Sequence, residues 1–527
     1  MIVTERELMS QPPNSTRLTV AMIVRDAEEL LRDSLESIQS IADEIVIADT
    51  GSADGTLDVA HAFGAQVVER PWQNDFSAAR NFCLSRVTGD WVLWLDAGDR
   101  LAPQDAARLR QQIDEAPTLA AAYVMFVEIP PSETNAAERI AQVRLAPRHP
   151  LIRFHGRVRE SMIDSLTTAQ VGIEPLDVCI RRSSREHDVN IKIAKAKRNI
   201  RLAEAEIRET AMRPELLNCL GDAFQTLDDF DRSVQFFRHG LQASQPGSCD
   251  MLEAYYGIVT SLDGKPEKRD EQLATCMRAL EAFPMDAQLL CAMGGYLQTQ
   301  GQTELATKAY QTTCQYGQIN PGVWHVSNIY EIATVCCSLT LQLLGRAEEA
   351  VRVLVDATAV DPNSLRIRRQ LLELYIKAGD RDNALQQLDQ FPDSFPNLDA
   401  FRSAVRGACL AAANNWIAAK AYLQTGYNAG SRDPICLRWY ATTLIASGEL
   451  DDARPIVELW VRSEPGNIAA QQMREMLAQN DEPLTEEGTL RQVRIDTSEK
   501  QQSHLTGSPT RSPLPHGSRT SRLPHQR

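Results

Sequence analysis

The chain has 527 residues and a formal net charge of −15 at pH 7. It is too long for a single hydrophobic core, so we expect several domains. The acidic balance argues against a nucleic-acid-binding surface, and we expect no nucleic-acid partner.

The eleven cysteines are scattered and contain no Cys-x-x-Cys pair. This pattern indicates small core residues in a reducing compartment rather than a zinc site or a disulfide framework. No stretch approaches the roughly 18 to 20 apolar residues of a membrane span. We therefore expect a cytoplasmic protein, and leave peripheral association with the inner face of a membrane as an open alternative.

The N-terminal part alternates between apolar runs of strand length and helical patterns. Residues 18–24 and 44–48 predict strands, each followed by a segment with helical spacing, and residues 66–68 predict a third strand. Strands that alternate with helices are typical of a parallel α/β sheet with right-handed connections. The second strand ends at Asp49 in a loop of small residues, where a ligand can approach the backbone.

Residues 90–95 predict the central strand of this sheet. The succession Trp, Val, Leu, Trp, Leu is typical of a strand that is buried on both faces, and it ends at Asp96 and Asp99. Ligands of open α/β sheets bind at the carboxyl edge, and an acidic pair there suits a divalent cation that bridges to phosphates. An ordinary Asp-Gly turn after a core strand is the alternative interpretation.

Four motifs occur in an order that resembles the family 2 glycosyltransferases. They are Arg25-Asp26-x-Glu28, the Asp-Thr-Gly-Ser-x-Asp-Gly-Thr loop at 49–56, Phe-Ser-x-Ala-Arg-Asn at 76–81 and Gly-Asp-Trp-x-Leu-x-Leu-Asp at 89–96. The sequence is most similar to the bacterial branch that carries tetratricopeptide repeats behind the catalytic domain. The resemblance covers residues 16–190 and implies a Rossmann-like, GT-A nucleotide-sugar domain.

The resemblance also implies roles for individual residues in donor binding. Asp49 would contact the nucleotide base, Arg80 the base or the diphosphate, and Asp96 the ribose and a divalent cation, Mn²⁺ or Mg²⁺. The second acid of the family's Asp-x-Asp motif should stand at position 98, where this chain has Gly98. We expect Asp99 to replace it as a metal ligand, or the cation to be held by Asp96 and the diphosphate.

On the acceptor side, Arg153 to Glu160 resembles the family's stretch ending in Val-His-Glu, with Arg159 in place of the His. Inverting transfer needs a carboxylate near the acceptor hydroxyl, and Glu160 is our candidate for that base. The alternative is a structural ion pair of Glu160 with Arg157 or Arg159. His187 falls near a His that the family places by the metal or diphosphate, although a lone His is more often structural.

Five arginines are concentrated in a short stretch of this acidic protein, and two interpretations remain open for them. The cluster favours a phosphorylated or otherwise anionic substrate, or else it belongs to a solvated loop. Its members are Arg144, Arg148, Arg153, Arg157 and Arg159.

The C-terminal two thirds have a helical pattern with an internal repeat. Small or turn-forming residues recur at steps of 34 or 35, each followed five residues later by an alanine. This is the tetratricopeptide period, in which the turn needs a residue that tolerates a left-handed conformation. The pairs are Gly345 and Ala350, Gly379 and Ala384, Asn414 and Ala419, and Gly448 and Ala453.

These patterns divide the chain into five predicted parts. We expect a flexible N-terminus at 1–15, the transferase domain at 16–190, a helical linker at 191–213, an all-α tetratricopeptide superhelix at 214–479 and a disordered tail at 480–527. From Lys500 onward the tail has five Lys or Arg and no acid, and it is rich in Ser, Pro and Gly, a composition that cannot form a packed core.

The sequence therefore predicts an inverting, hexosyltransferase-type enzyme that uses a nucleotide-diphosphate sugar and a divalent cation. Its acceptor would be a cell-envelope glycan, a lipid-linked glycan, or a protein or peptide, and the concave face of the repeats would recruit the acceptor or a protein partner. The alternative is a repeat scaffold whose transferase domain is degenerate. Gly98 and Arg159 favour this alternative, whereas Asp49, Arg80, Asp96 and Glu160 oppose it.

Overall fold

The computed structural model describes residues 16–115, 119–132 and 135–479. Within these residues the chain forms two compact units, one of residues 16–289 with 318–328 and one of residues 290–317 with 329–479. The expected flexible N-terminus at 1–15 and disordered tail at 480–527 lie outside the described residues. The domain boundaries at 190 and 213 stay predictions.

The first unit is built on one mixed sheet. Its strands are β1 Leu18–Val24, β2 Glu44–Asp49, β3 Gln66–Glu69, β4 Trp91–Trp94, β5 Arg100–Leu101, β6 Ala121–Ile129, β7 Glu138–Pro147, β8 Gly172–Arg181 and β9 His325–Val326. The spatial order is β3-β2-β1-β4-β7-β6-β8-β5, and β9 pairs with β7. The strands β1 to β4 are parallel, as the alternating pattern predicts, but β7 runs antiparallel to β4.

Each face of the sheet carries its own hydrophobic core. Trp91 and Leu93 of β4 belong to the core on one face, and Val92 and Trp94 to the core on the other. All four side chains are buried, because successive strand residues point to opposite faces and helices cover both. The central strand predicted from the apolar run is therefore confirmed.

The described helices fall into three sets along the chain. Those that accompany the sheet are α1 Glu28–Ile38, α2 Thr56–Ala62, α3 Phe76–Leu84, α4 Pro103–Glu115 and α5 Ile163–Thr168. A long helix, α6 Val189–Glu209, follows. The remainder are α7 Pro214–Thr226, α8 Phe230–Ala243, α9 Cys249–Leu262, α10 Arg269–Ala282, α11 Ala287–Thr299, α12 Thr303–Tyr316, α13 Ile329–Leu343, α14 Ala347–Val360, α15 Leu365–Lys377, α16 Arg381–Leu388, α17 Leu398–Ala412, α18 Trp416–Asn428, α19 Pro434–Ala446, α20 Leu450–Ser463 and α21 Ile468–Gln479.

The helices from α13 onward follow the period that the sequence predicts. Each of the four turn residues has a positive φ, from +59° to +80°, in Gly345, Gly379, Asn414 and Gly448. Each alanine five residues later is fully buried, in Ala350, Ala384, Ala419 and Ala453. Glycine and asparagine tolerate the left-handed turn, and an alanine lets the second helix of a unit approach its neighbours. The all-α repeat architecture is thus confirmed.

A segment inserted between α12 and α13, residues 318–328, belongs to the first unit and extends its sheet. Its strand β9 pairs with Glu138 and Arg139 at the start of β7, and the carbonyl of Pro321 accepts a hydrogen bond from the amide of Ala141 at 2.7 Å. We name it the 318–328 segment. Within the described parts of the chain, no helix combines the length and apolar character needed to cross a bilayer.

Candidate active site

The carboxyl ends of β1, β2 and β4 lie at one edge of the sheet, because the three strands are parallel and adjacent. Asp49 is the last residue of β2 and is 3% exposed. Its carboxylate accepts hydrogen bonds from the amides of Gly51 and Ser52, at 2.9 and 3.0 Å. Asp49 therefore orders the loop of small residues that follows it.

The first two motifs are hydrogen-bonded to each other. A carboxylate oxygen of Asp26 accepts from the amide of Ala53 at 2.7 Å, and one of Glu28 accepts from the amide of Gly55 at 3.2 Å. The loop that follows Asp49 is consequently fixed from the end of β1 as well, which pre-forms this edge of the sheet.

Arg80 lies on α3 and joins two of the predicted site residues. Its Nε donates to Glu160 at 2.7 Å and its Nη2 donates to Asp96 at 2.9 Å. The guanidinium carbon lies 5.4 and 5.3 Å from the ring centroids of Trp94 and Phe154, which pack against each other edge to face. Burial opposes the charge of Arg80, but the two carboxylates raise its pKa overall. The side chain is therefore a fixed positive charge at the centre of the site.

Asn81, the next residue of the same motif, holds the segment that carries Glu160. Its side chain donates to the carbonyl of Phe154 and accepts from the amide of Phe154, both at 2.8 Å. The helix α3 is itself capped by Asp75, which accepts from the amide of Ala78 at 2.8 Å. The motif at 76–81 thus positions both Arg80 and its partner Glu160.

Asp96 is surrounded by three guanidinium groups. Besides Arg80, Arg144 donates to its Oδ2 at 3.3 Å and Arg182 donates to the same oxygen at 3.1 Å. Burial raises the pKa of Asp96, but the charges of Arg144, Arg80 and Arg182 outweigh burial and hold it well below the usual range. The carboxylate remains ionised and, with its side chain 34% exposed, is accessible from solution.

Asp99 lies behind Asp96. It is 2% exposed, its Oδ2 accepts from the amide of Asp96 at 3.1 Å, and burial raises its pKa despite the nearby Arg182. Gly98 between them has φ +98°, and an added Cβ would lie 3.3 Å from Leu30 and Ser183. This turn therefore requires glycine at the position where the family pattern has an acid.

The residues at this edge fit a cation that shares its ligands with a diphosphate. Mg²⁺ is commonly bound by one or two carboxylates together with substrate phosphates, and Asp96 offers an exposed, ionised carboxylate. No group of three or more His, Cys, Asp or Glu suited to a metal ion occurs within residues 16–115, 119–132 and 135–479. The protein itself would accordingly supply few of the ligands of a bound metal ion.

The imidazole of His187 contacts the backbone just after β6. Its Nε2 is 2.6 Å from the carbonyl oxygen of Pro130, and it lines a cavity of about 200 Å³ together with Lys192, Lys195 and Asn199 of α6. Its expected approach to the metal stays a prediction, and the structure places the imidazole in a polar cavity next to the start of α6.

The five clustered arginines do not converge. Arg144 contacts Asp96, whereas Arg148 donates to the carbonyl of Gly89 at 2.9 Å and Arg153 to the carbonyl of Pro150 at 3.4 Å. The others face the helices that follow the sheet: Arg157 contacts Glu209, and Arg159 contacts Asp222 and Glu253.

The partner of Glu160 is Arg80, not Arg157 or Arg159 as the structural alternative predicted. Arg182, which follows the last residue of β8, was not among the predicted site residues. The one signal that could have found it is its position at a strand end, which it shares with Asp49 and Asp96.

Comparison with known proteins assigns the two parts of the chain. The family model for glycosyl transferase family 2 matches residues 19–165, and a tetratricopeptide repeat model matches residues 341–406. A TPR repeat-containing protein of Synechococcus elongatus is 30% identical over 282 residues, covering 51% of this chain and 67% of that protein. The chain belongs to glycosyltransferase family 2 and carries tetratricopeptide repeats. The resemblance deduced from the four motifs is confirmed.

Other relatives of this glycosyltransferase match shorter parts. The SPbeta prophage-derived glycosyltransferase SunS of Bacillus subtilis strain 168 is 22% identical over 227 residues, which are 42% of this chain and 53% of SunS. The chain thus spans about half of that relative. A glucosyl-3-phosphoglycerate synthase from Mycobacterium tuberculosis, solved with Mn²⁺ and UDP, is 21% identical, with a TM-score of 0.19, over 22% of this chain and 43% of that one.

Proposed function

We propose that this glycosyltransferase is an inverting, hexosyltransferase-type enzyme that takes its sugar from a nucleotide-diphosphate donor. The observation that carries the proposal is Arg80, which joins Asp96 to Glu160 at the carboxyl edge of the parallel strands. One guanidinium thereby holds both an acid suited to the donor and an acid suited to the acceptor. A single displacement needs donor and acceptor groups close together, and this arrangement supports it.

For the donor, we assign the nucleotide to the edge formed by Asp49, Arg80 and Asp96. The ordered loop after Asp49 would receive the base, and Arg80 is a fixed cation for the diphosphate. Asp96, with Asp99 behind it, would hold Mn²⁺ or Mg²⁺. When bound, such a cation offsets the negative charge that develops on the departing nucleoside diphosphate.

For the chemical step, we assign Glu160 as the general base. The acceptor hydroxyl attacks the anomeric carbon of the sugar, its new bond forms as the bond to the diphosphate breaks, and its proton passes to Glu160. Arg80 holds Oε1 of Glu160 at 2.7 Å, so we assign the proton to Oε2. The configuration at the anomeric carbon inverts because attack and departure occur on opposite faces.

For the acceptor, we propose the polar cavity of His187, Lys192, Lys195 and Asn199. Its hydrogen-bonding and charged side chains suit the hydroxyl groups of a cell-envelope or lipid-linked glycan, or the polar backbone of a peptide. The repeats would recruit the acceptor or a protein partner, since stacked helical hairpins offer an extended surface.

The test begins with a thermal-shift screen of nucleoside diphosphates and their sugars, each with Mg²⁺ and with Mn²⁺. A ligand that binds the folded protein raises its melting temperature, so we expect selective stabilisation by one nucleotide. Hydrolysis of the matching sugar nucleotide is then measured in wild type and Asp96→Ala, and we expect turnover only in wild type. Equal, negligible turnover without nucleotide binding in either protein would instead favour the repeat scaffold with a degenerate transferase domain.

A further inference from the structure

Arg182 is more exposed than the other two arginines around Asp96. Its side chain is 20% exposed, against 10% for Arg80 and 6% for Arg144. Its Nη2 donates to Asp96, but its Nε, although buried and 3.4 Å from Asp99, makes no hydrogen bond. Arg182 therefore retains a donor that the protein does not satisfy.

A partly exposed guanidinium with an unsatisfied donor suits a phosphate group. Its planar fork can donate two parallel hydrogen bonds to one phosphate, and a buried donor without a partner costs free energy until it finds one. Three carboxylates and three guanidiniums already balance within this cluster. An incoming diphosphate accompanied by a cation can exchange partners with the cluster without leaving a large uncompensated charge.

The ring that covers Arg182 comes from the 318–328 segment. Trp324 is half-buried against the core of the sheet, and the guanidinium carbon of Arg182 lies 5.9 Å from its ring centroid. We infer that Arg182 is a ligand of the donor diphosphate and that Trp324 is the residue that positions it. This inference rests on the proposed function.

The position of Trp324 is fixed on both sides. The amide of Ser327 donates to the carbonyl of Ala137 at 2.9 Å, and the carbonyl of Pro321 accepts from the amide of Ala141 at 2.7 Å. Val323 and Val326 are each 4% exposed and anchor the backbone next to the ring. The indole is consequently a rigid surface, and it limits the rotamers of Arg182 before a ligand arrives. Such preorganisation lowers the entropic cost of binding.

A double-mutant cycle tests this on the full chain, with magnesium pyrophosphate as the probe and isothermal calorimetry as the measurement. We expect Trp324→Ala to weaken pyrophosphate binding about fivefold, the size of a partly desolvated cation–π contact, and Arg182→Ala to weaken it about tenfold or more. Because Trp324 acts through Arg182, the double variant should bind like Arg182→Ala alone. Trp324→Phe retains an aromatic face and should bind within about twofold of wild type.

Trp439 provides a matched control, because the guanidinium carbon of Arg438 also lies 5.9 Å from its ring centroid. Trp439→Ala should leave pyrophosphate binding unchanged. An equal loss in Trp324→Ala and Trp439→Ala, or an effect of Trp324→Ala that persists in the Arg182→Ala background, overturns the positioning role. Circular dichroism checks that each variant folds. If Trp324→Ala does not fold, the Arg182→Ala variant is sufficient as a test: pyrophosphate affinity equal to that of wild type overturns the inference.

The proposed function can fail separately. Suppose that Asp96→Ala weakens binding of a nucleoside diphosphate but Arg182→Ala leaves pyrophosphate binding unchanged. That result contradicts this inference and leaves the proposed function intact. A wild-type protein that binds neither nucleotide nor pyrophosphate contradicts both.

Discussion

At the scale of single residues, Arg80 determines how the site is assembled. Its guanidinium contacts two carboxylates from distant parts of the chain and lies within cation–π distance of two aromatic rings. Contacts of a desolvated cation with aromatic faces contribute about 2 kcal/mol, and removal of one partner from a buried ion pair costs about 3 to 5 kcal/mol. Arg80 therefore supports the structure of the site as well as its charge.

The role of Glu160 can be tested with a substitution that keeps the size and shape of its side chain. Glu160→Gln keeps an oxygen that can accept from Arg80, but it cannot take up a proton. We expect the kcat of sugar transfer to fall by about 10² to 10⁴, whereas the KM for the donor changes little. Steady-state kinetics with varied donor measures both quantities. A rise in donor KM at unchanged kcat would show that Glu160 binds the donor instead.

Gly98 shows why restoring a family motif can harm this chain. Its φ of +98° strains any residue with a Cβ, at a cost of about 1 to 3 kcal/mol. We expect Gly98→Asp and the control Gly98→Ala to melt at similarly lowered temperatures and to bind Mn²⁺ no more tightly than wild type. Tighter Mn²⁺ binding by the Asp variant alone would contradict this and would indicate that the turn can present a second acid.

At the scale of elements, Arg159 connects the sheet to the first repeat helices rather than to the active site. It contacts Asp222 of α7 and Glu253 of α9, and its φ is +53°. This explains the departure from the family's His at this position, since the longer side chain reaches both acids. The arginine does not weaken the case for a functional site.

Arg159→His tests that explanation, because His tolerates a positive φ better than most residues but cannot reach both acids. The side chain is 28% exposed, so the expected loss lies between those of surface and buried pairs, at about 1 to 3 kcal/mol. Thermal unfolding of the full chain measures it. Arg153→His, at an exposed position, is the control, and equal melting temperatures of the two variants would rule out the connecting role.

The elements that the sequence predicts well are those governed by local pattern. The two-sided burial of β4 and the left-handed turns at Gly345, Gly379 and Gly448 follow directly from residue type and period. The antiparallel course of β7 beside β4 was not predicted, because the alternation of strands and helices indicates only the parallel strands.

Some residues of the candidate site can likewise be predicted from local sequence pattern, and others cannot. Asp49 and Asp96 could be selected as candidates from the sequence because each lies at the end of an apolar run of strand length. The contacts of Arg182 and Trp324 could not, since they join residues far apart in the chain and depend on how the 318–328 segment pairs with β7. Such pairing carries no periodic signal in the sequence.

At the scale of the whole molecule, a family 2 glycosyltransferase domain and tetratricopeptide repeats occupy one chain. The compact unit that holds the candidate site contains the sheet, α6 to α10 and the 318–328 segment. Residues late in the sequence thus take part in the unit that holds the site. A deletion chosen from the family match at 19–165 would remove Arg182 and Trp324.

The most direct test of this account is a calorimetric titration of the nucleoside diphosphate selected by the thermal-shift screen, with its cation. The proteins are wild type, Asp96→Ala, and Asp90→Ala at the opposite end of β4. We expect wild type and Asp90→Ala to bind alike, and Asp96→Ala to bind at least about tenfold more weakly, since it loses a charged ligand. Equal affinity in all three proteins would contradict a donor site at Asp96.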